Sequence, residues 1–239
     1  MQIINIFTKE GDDILFYQPT NYPDIFLSLD KNNPILSSPN SDYTIEYALT
    51  RDKAYDLEEY KAFLDSAIRR FRHSRTYTHY KAYLLSLGLN TCIYHPYIQS
   101  SEDAEIASLE MHHCMLNIYD IAIIITEHIL NTYGQITEFD LSELLKLEHI
   151  NNRIPIVMLC KNCHQLYHHK YLYVQPDVIF GKWWELLENY KTAFDQNTEI
   201  AFKIVKYLDR SIGDNLIKEN KKREKLLQLR DNILSWSKI

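Results

Sequence analysis

Cys160-Lys-Asn-Cys163-His164-Gln-Leu-Tyr-His168 decides how this chain is read, because it runs a Cys-x2-Cys pair straight into a His-x3-His pair. Upstream, Cys92-Ile-Tyr-His95 is a Cys-x2-His pair, and between the two lies Glu110-Met111-His112-His113. Two pairs of soft ligands at two-residue spacing, remote in sequence, suit one tetrahedral ion that clips two segments together. Cys92, His95, Cys160 and Cys163 are therefore the expected ligands of a structural zinc.

The remaining histidines form a second set of metal-binding type. Positions four apart share one face of a helix, so His164 and His168 can both reach one ion. A strand alternates its faces, so adjacent His112 and His113 point to opposite sides or diverge around a kink. One can ligate the metal while the other meets a water molecule. Phosphodiester hydrolysis needs this division: a base to deprotonate water, and a positive centre for charge on the phosphorane and leaving oxygen.

Composition bounds the alternatives. The chain has 239 residues, 46% of them hydrophobic, so it can bury a substantial core. Its longest apolar stretch, Ile118 to Ile125, is interrupted by Asp120 and followed by Glu127, too short for a membrane span. The first residues lack a basic region and a cleavage site, so no signal peptide is read. Three of the four cysteines belong to the zinc pattern, and Cys114 abuts the histidine pair. That usage suits a reducing, cytoplasmic compartment better than a disulfide scaffold. A formal charge of −6 excludes a surface that is basic all over, but not a local basic patch. Such a patch is Arg69, Arg70, Arg72 and Arg75, with no acid among them; it is the expected grip on DNA phosphates. Lys218, Lys221, Lys222, Arg223, Lys225 and Arg230 are interleaved with Glu219, Glu224 and Asp231, and read equally well as a solvated helix face.

Four regions follow from the pattern of turns and periodicity. Residues 1–50 carry short β-like runs, Ile3 to Phe7, Ile14 to Tyr17 and Ile25 to Leu29, separated by turn residues. Residues 51–88 read as helical, one helix capped by Asp56 and a second from Tyr77 to Leu87 that stops at Gly88. Residues 89–172 hold the ligand pattern. There, Ile106 to Met111 is a strand leading into His112 and His113, Ile118 to Leu130 and Leu141 to His149 are helices, and Pro155 to Leu159 is a strand that delivers Cys160. Residues 173–239 are helical again, over Lys182 to Phe194, Glu199 to Arg210 and Asn215 to about Trp236.

Leu109-Glu-Met-His-His113 followed by Leu159-Cys-Lys-Asn-Cys-His-Gln-Leu-Tyr-His168, with a half-knuckle upstream, resembles an HNH endonuclease. The resemblance covers about 80 residues and implies an α+β fold with a ββα-metal core clipped by zinc. Helical insertions and a largely helical C-terminal region surround it. By position, His113 resembles the general base and His112 the adjacent metal ligand. His164 and His168 resemble the helix ligands, in the all-histidine style of the colicin nucleases. The implied activity is metal-dependent hydrolysis of DNA, with Mg2+, Mn2+, Ni2+ or Zn2+ in the catalytic site. Phage or mobile-element origin fits the resemblance, and with it the host-cell cytoplasm.

The chain departs from the family pattern in three places. The first half-knuckle ends in His95 instead of Cys, the span from His113 to Cys160 is long, and Pro155 stands where the middle Asn usually lies. Asn152 or His149 is left to take that role. Two other functions stay open: a zinc-stabilised binding or assembly protein without catalysis, and a nuclease acting on RNA. A protein partner, or self-association through the C-terminal helices, is a further expectation.

Overall fold

The computed structural model describes residues 48–98, 109–195, 197–213 and 220–237 in full, and the strands within 1–47 as backbone. The fold is α+β and mostly helical. Strands β1 (Gln2–Phe7), β2 (Asp13–Gln18) and β3 (Leu27–Ser28) form an antiparallel sheet; β4 (Ile35–Leu36) pairs with β5 (Ile45–Glu46). The remainder of the run expected from Ile25, the turns, and Ile106 to Ser108 lie outside the described residues.

From β6 (Leu49–Thr50) onward one hydrophobic core runs through the chain, from Leu49 to Ile233. Helix α1 (Leu57–Arg72) starts where the Asp56 carboxylate accepts the amides of Glu58 and Glu59, satisfying donors that a first turn leaves unpaired. Its apolar stripe, Phe63, Leu64, Ala67, Ile68 and Phe71, is buried. Ser74 then caps α2 (Arg75–Ser86) by accepting from Tyr77 N–H. Gly88 follows with φ +86°, a left-handed conformation that L side chains avoid.

Strands β7 (Leu109–His113) and β9 (Ile156–Cys160) pair antiparallel, Leu109 opposite Cys160 and His113 opposite Ile156. The long excursion between them is helical core. Helix α3 (Ile118–Tyr133) opens on an Asn117/Asp120 capping box and ends at left-handed Gly134. Strand β8 (Gln135–Ile136) pairs back with β6, and a Thr137/Asp140 box starts α4 (Glu138–Ile150). Helices α1, α3 and α4 pack on one another as a helical floor, and α4 meets β7 where His149 reaches His113.

A buried ion pair ties the entry of β9 to this floor. Glu148 is fully buried, and it accepts both Arg153 Nε (2.6 Å) and Nη2 (2.9 Å) as well as Tyr190 Oη (2.9 Å). Lys182 N–H donates to the Asn152 carbonyl, and Phe180 pairs with Ile156. At Gly181 (φ +101°) a β-carbon would meet the Ile154 carbonyl at 2.4 Å, so only glycine fits this approach.

Strand β9 leads directly into α5 (Lys161–His168). Beyond it, the single helix expected from Lys182 to Phe194 is instead α6 (Trp183–Asn189) followed by a 3-10 turn, Lys191–Asp195. The break falls at Tyr190, whose fully buried ring is anchored on Glu148. That tertiary contact outweighs local helix preference. Helices α7 (Thr198–Gly213) and α8 (Asn220–Ser237) pair along their apolar faces, and Trp236 stacks on Phe194 at 6.0 Å. No helix among the described residues is long and apolar enough to cross a membrane.

Candidate metal centres

Cys92, His95, Cys160 and Cys163 converge: their ligand atoms lie within 4.8 Å of one another. The His95 Nδ1 is 3.5 Å from Cys160 Sγ and 3.3 Å from Cys163 Sγ. The local turns explain the closeness. His95 N–H donates to the Cys92 carbonyl, Ile98 N–H to that of His95, and Ile93 N–H to Met158 in β9, pinning the half-knuckle against the strand. On the other side, Cys160 is the residue preceding α5 and Cys163 sits in its first turn. All three thiols are buried. Burial raises the Cys92 thiol, but the backbone amides of Cys160, Tyr94 and His95 that hydrogen-bond its sulfur outweigh this and lower its pKa. Amides aimed at sulfur favour the thiolate, the form that binds metal. Three thiols and an imidazole at this spacing are the donor set of a structural zinc site. The cluster can hold such an ion.

The second cluster lies one residue away along the same helix. His112, His164 and His168 present ligand atoms within 4.8 Å of one another. The His164 and His168 Nε2 atoms are 3.0 Å apart, and the His112 ring lies 4.6 Å and 5.1 Å from theirs. Nε2 of His112 is buried with no hydrogen-bond partner. A buried, unpaired nitrogen is costly unless something else satisfies it. Burial, and then the neighbouring His164 and His168, push the His112 pKa down to about 3, so this imidazole is neutral and its lone pair available. Tyr167 backs the ring at 4.6 Å and binds Met115 N–H through its hydroxyl.

Glu110 completes the cluster from outside. Its carboxylate pairs with Nδ1 of His164, leaving Nε2 facing His168. Carboxylate support of this kind fixes the tautomer and the ring of a metal-binding histidine. The sequence reading assigned Glu110 no role. The signal was there, since residues two apart on a strand share a face and Glu110 lies two before His112.

His113 points the other way. Its Nε2 lies 3.0 Å from Nε2 of His149 on α4, and the residue is half-buried. His149 Nδ1 is 2.6 Å from the Leu145 carbonyl, and Phe71, Tyr77 and Tyr80 surround the ring. Burial holds His113 well below the ordinary histidine value, with the charges of His149, His112 and Arg72 acting in the same direction. Of the two residues considered for the middle Asn, His149 meets His113. The Asn152 amide is engaged elsewhere, with the hydroxyls of Tyr80 and Tyr83, each at 3.3 Å.

Arg69, Arg70, Arg72 and Arg75 are exposed around the α1–α2 junction. The Arg70 guanidinium also lies over Phe139 at 5.9 Å. At the far end of the chain Arg230 is paired with Asp209 and Asp231, while Lys221, Lys222, Arg223 and Lys225 are exposed. His169 is exposed, beyond the end of α5.

No curated protein and no solved structure matches the chain. A family model of bacteriophage G278-like virion proteins matches residues 24–235. The match supports the phage origin expected from the sequence; it is not a match to a nuclease family. It spans both candidate clusters and most of the 239 residues, and on it the chain belongs to the bacteriophage G278-like virion protein family.

Proposed function

We propose that this chain is a metal-dependent HNH-type endonuclease that hydrolyses DNA phosphodiester bonds, with β7, β9 and α5 as its ββα-metal core. The observation that carries the reading is the convergence of His112, His164 and His168, with the buried His112 Nε2 unpartnered among them. Three imidazoles and an open side fit a divalent cation such as Mg2+, Mn2+, Ni2+ or Zn2+. When bound, that ion supplies positive charge to the scissile phosphate and the leaving oxygen. The protein's own groups do the rest. His112, His164 and His168 hold the ion, and Glu110 keeps His164 in register. His113, on the opposite face of the same strand, takes the proton of the attacking water. Exposed Arg69, Arg70, Arg72 and Arg75 bind phosphates along the strand. A zinc held by Cys92, His95, Cys160 and Cys163 would tie α5 to the half-knuckle and β9.

The second reading is a zinc-stabilised binding or assembly protein of the phage particle, without catalysis. The family match favours it, and so does the bond that turns His113 toward His149. Either function fits a protein of the particle or the infected cell.

The deciding experiment incubates purified full-length protein with supercoiled plasmid in EDTA, Mg2+, Mn2+ or Ni2+, alongside a structured RNA transcript. Nicking that depends on metal, and is lost in His112→Ala, supports the DNA nuclease. Cleavage confined to the transcript moves the reading to RNA. Intact nucleic acid under every condition, with both clusters metal-loaded, leaves the assembly reading.

A further inference from the structure

We propose that the segment following α5, with the basic start of α8 and the tyrosines of the half-knuckle, is a binding surface for single-stranded DNA. The surface lies outside both candidate clusters, and its binding is independent of whether the chain cuts.

Local geometry turns the aromatic rings outward. Helix α5 ends where Lys170 takes φ +63°, with Lys170 N–H returning to the Tyr167 carbonyl and Tyr171 N–H to that of Leu166. This pairing satisfies the last carbonyls of the helix and bends the chain away from its axis. Tyr171 emerges 79% exposed, and Tyr97 in the half-knuckle is 78% exposed. The chain beyond Tyr171 is held from two sides. Tyr94 Oη donates to the Tyr173 carbonyl (2.8 Å), and Tyr207 Oη of α7 donates to that of Val174 (2.7 Å). The Arg210 guanidinium of α7 lies over the Tyr173 ring at 4.2 Å, and Lys222 of α8 reaches Asp177 at 3.8 Å. Residues 171–177 therefore run from the half-knuckle to the start of α8.

Charge selects the ligand. Lys170, Arg210, Lys221, Lys222, Arg223 and Lys225 are all exposed. Glu224 is the one acid between Asn220 and Lys225, and Asp209 and Asp231 are engaged by Arg230. Helix α8 starts with no acid in its first turn, so its cations meet the positive end of the helix dipole. A row of phosphates reverses that repulsion. Residues 220–225 are exposed on every side and lack the apolar stripe by which a helix lies on a membrane. Exposed tyrosine rings beside cations fit unpaired bases, whose faces stack while the phosphates meet lysine and arginine. A duplex hides those faces, so the single strand is the better ligand.

The test is fluorescence anisotropy of full-length protein with labelled oligothymidine and with a duplex of equal length, without added divalent metal, across a salt series. Oligothymidine should bind ~10-fold or more tighter than the duplex, and its affinity should fall ~10-fold or more between ~50 and ~200 mM salt. The triple variant Lys221→Gln, Arg223→Gln, Lys225→Gln should bind the strand ~10-fold more weakly with a flatter salt dependence. Tyr97→Ala with Tyr171→Ala should lose about as much, with the salt dependence unchanged. All five residues are exposed, so both variants should melt as the wild type does. No binding of oligothymidine by the wild type, full binding by either variant, equal binding of the duplex, or a preference for oligouridine overturns the proposal. Should a variant fail to fold, the wild-type preferences alone decide. Plasmid nicking without strand binding would remove this surface and leave the nuclease reading; strand binding without nicking would do the reverse.

Discussion

The two clusters share one eight-residue helix, yet they differ in donors and in exposure. The Cys92/His95/Cys160/Cys163 cluster is closed: three buried thiols and one imidazole, drawn from two chain segments. The His112/His164/His168 cluster is half open, running from buried His112 through half-exposed His164 to exposed His168, with only nitrogen donors. Closed four-ligand sites with sulfur hold folds together, and three-ligand sites with an open position do chemistry. Cys163 and His164 are neighbours, so the first cluster positions the second. The open cluster should depend on the closed one, and the reverse dependence should be weak.

The largest effect therefore belongs to the closed cluster. Cys163→Ser should abolish tight zinc binding and lower the melting temperature by ~10 °C or more, because the binding free energy of a structural zinc is also folding free energy. Elemental analysis together with calorimetry checks it. An unchanged melt would make the comparison meaningless, since both clusters would then be passive.

His112→Ala should behave in the opposite way. It removes the one buried side-chain nitrogen without a hydrogen-bond partner among the described residues, and leaves the Cys/His cluster untouched. Zinc content should stay, the melt should shift by only a few degrees, and affinity for the second ion should fall ~10-fold or more by titration calorimetry. Collapse of the fold in this variant would show that the second cluster is structural too.

Glu110→Gln sharpens the same point more gently. Glutamine keeps the shape but not the charge that supports His164 Nδ1, and metal affinity of the open cluster should weaken by about 10-fold. Unchanged affinity would reduce the pair to a surface contact.

How much of this was legible beforehand follows from distance along the chain. The two-residue and four-residue spacings are local and mark both clusters. The Asp56 cap and the stripe from Phe63 to Phe71 mark α1 in the same way. Partners separated by a long stretch leave no such trace. His113 and His149 are 36 positions apart, and only the packing of α4 under β7 joins them. Tyr190 breaks an otherwise helical run because Glu148, 42 positions earlier, holds its hydroxyl. The excursion from His113 to Cys160 reads locally as two helices; its place in the core depends on contacts with α1 that no spacing encodes.

A last effect lies outside both clusters and serves as their control. Burial lowers His128 from the ordinary 6.5 to about 4, and its Nδ1 contacts Thr192 Oγ1 at 2.7 Å. The unfolded chain then binds a proton that the folded chain refuses. The contribution of this group is fully present above the unfolded value and is lost as pH falls toward the folded one. Acidification from pH ~7 to ~5 should cost about 2 kcal/mol through this residue, and His128→Gln should flatten that part of the profile without altering either metal stoichiometry. An equally steep profile in the variant would assign the acid sensitivity elsewhere.

The division of labour is tested most directly by single-turnover plasmid cleavage of His112→Ala and His113→Ala side by side, across a metal titration. His113→Ala should bind metal and DNA normally and cut ~10²–10⁴-fold more slowly at every metal concentration, while His112→Ala should regain rate as metal is raised. Equal loss in both variants that no excess of metal restores, or wild-type cleavage by His113→Ala, would contradict it.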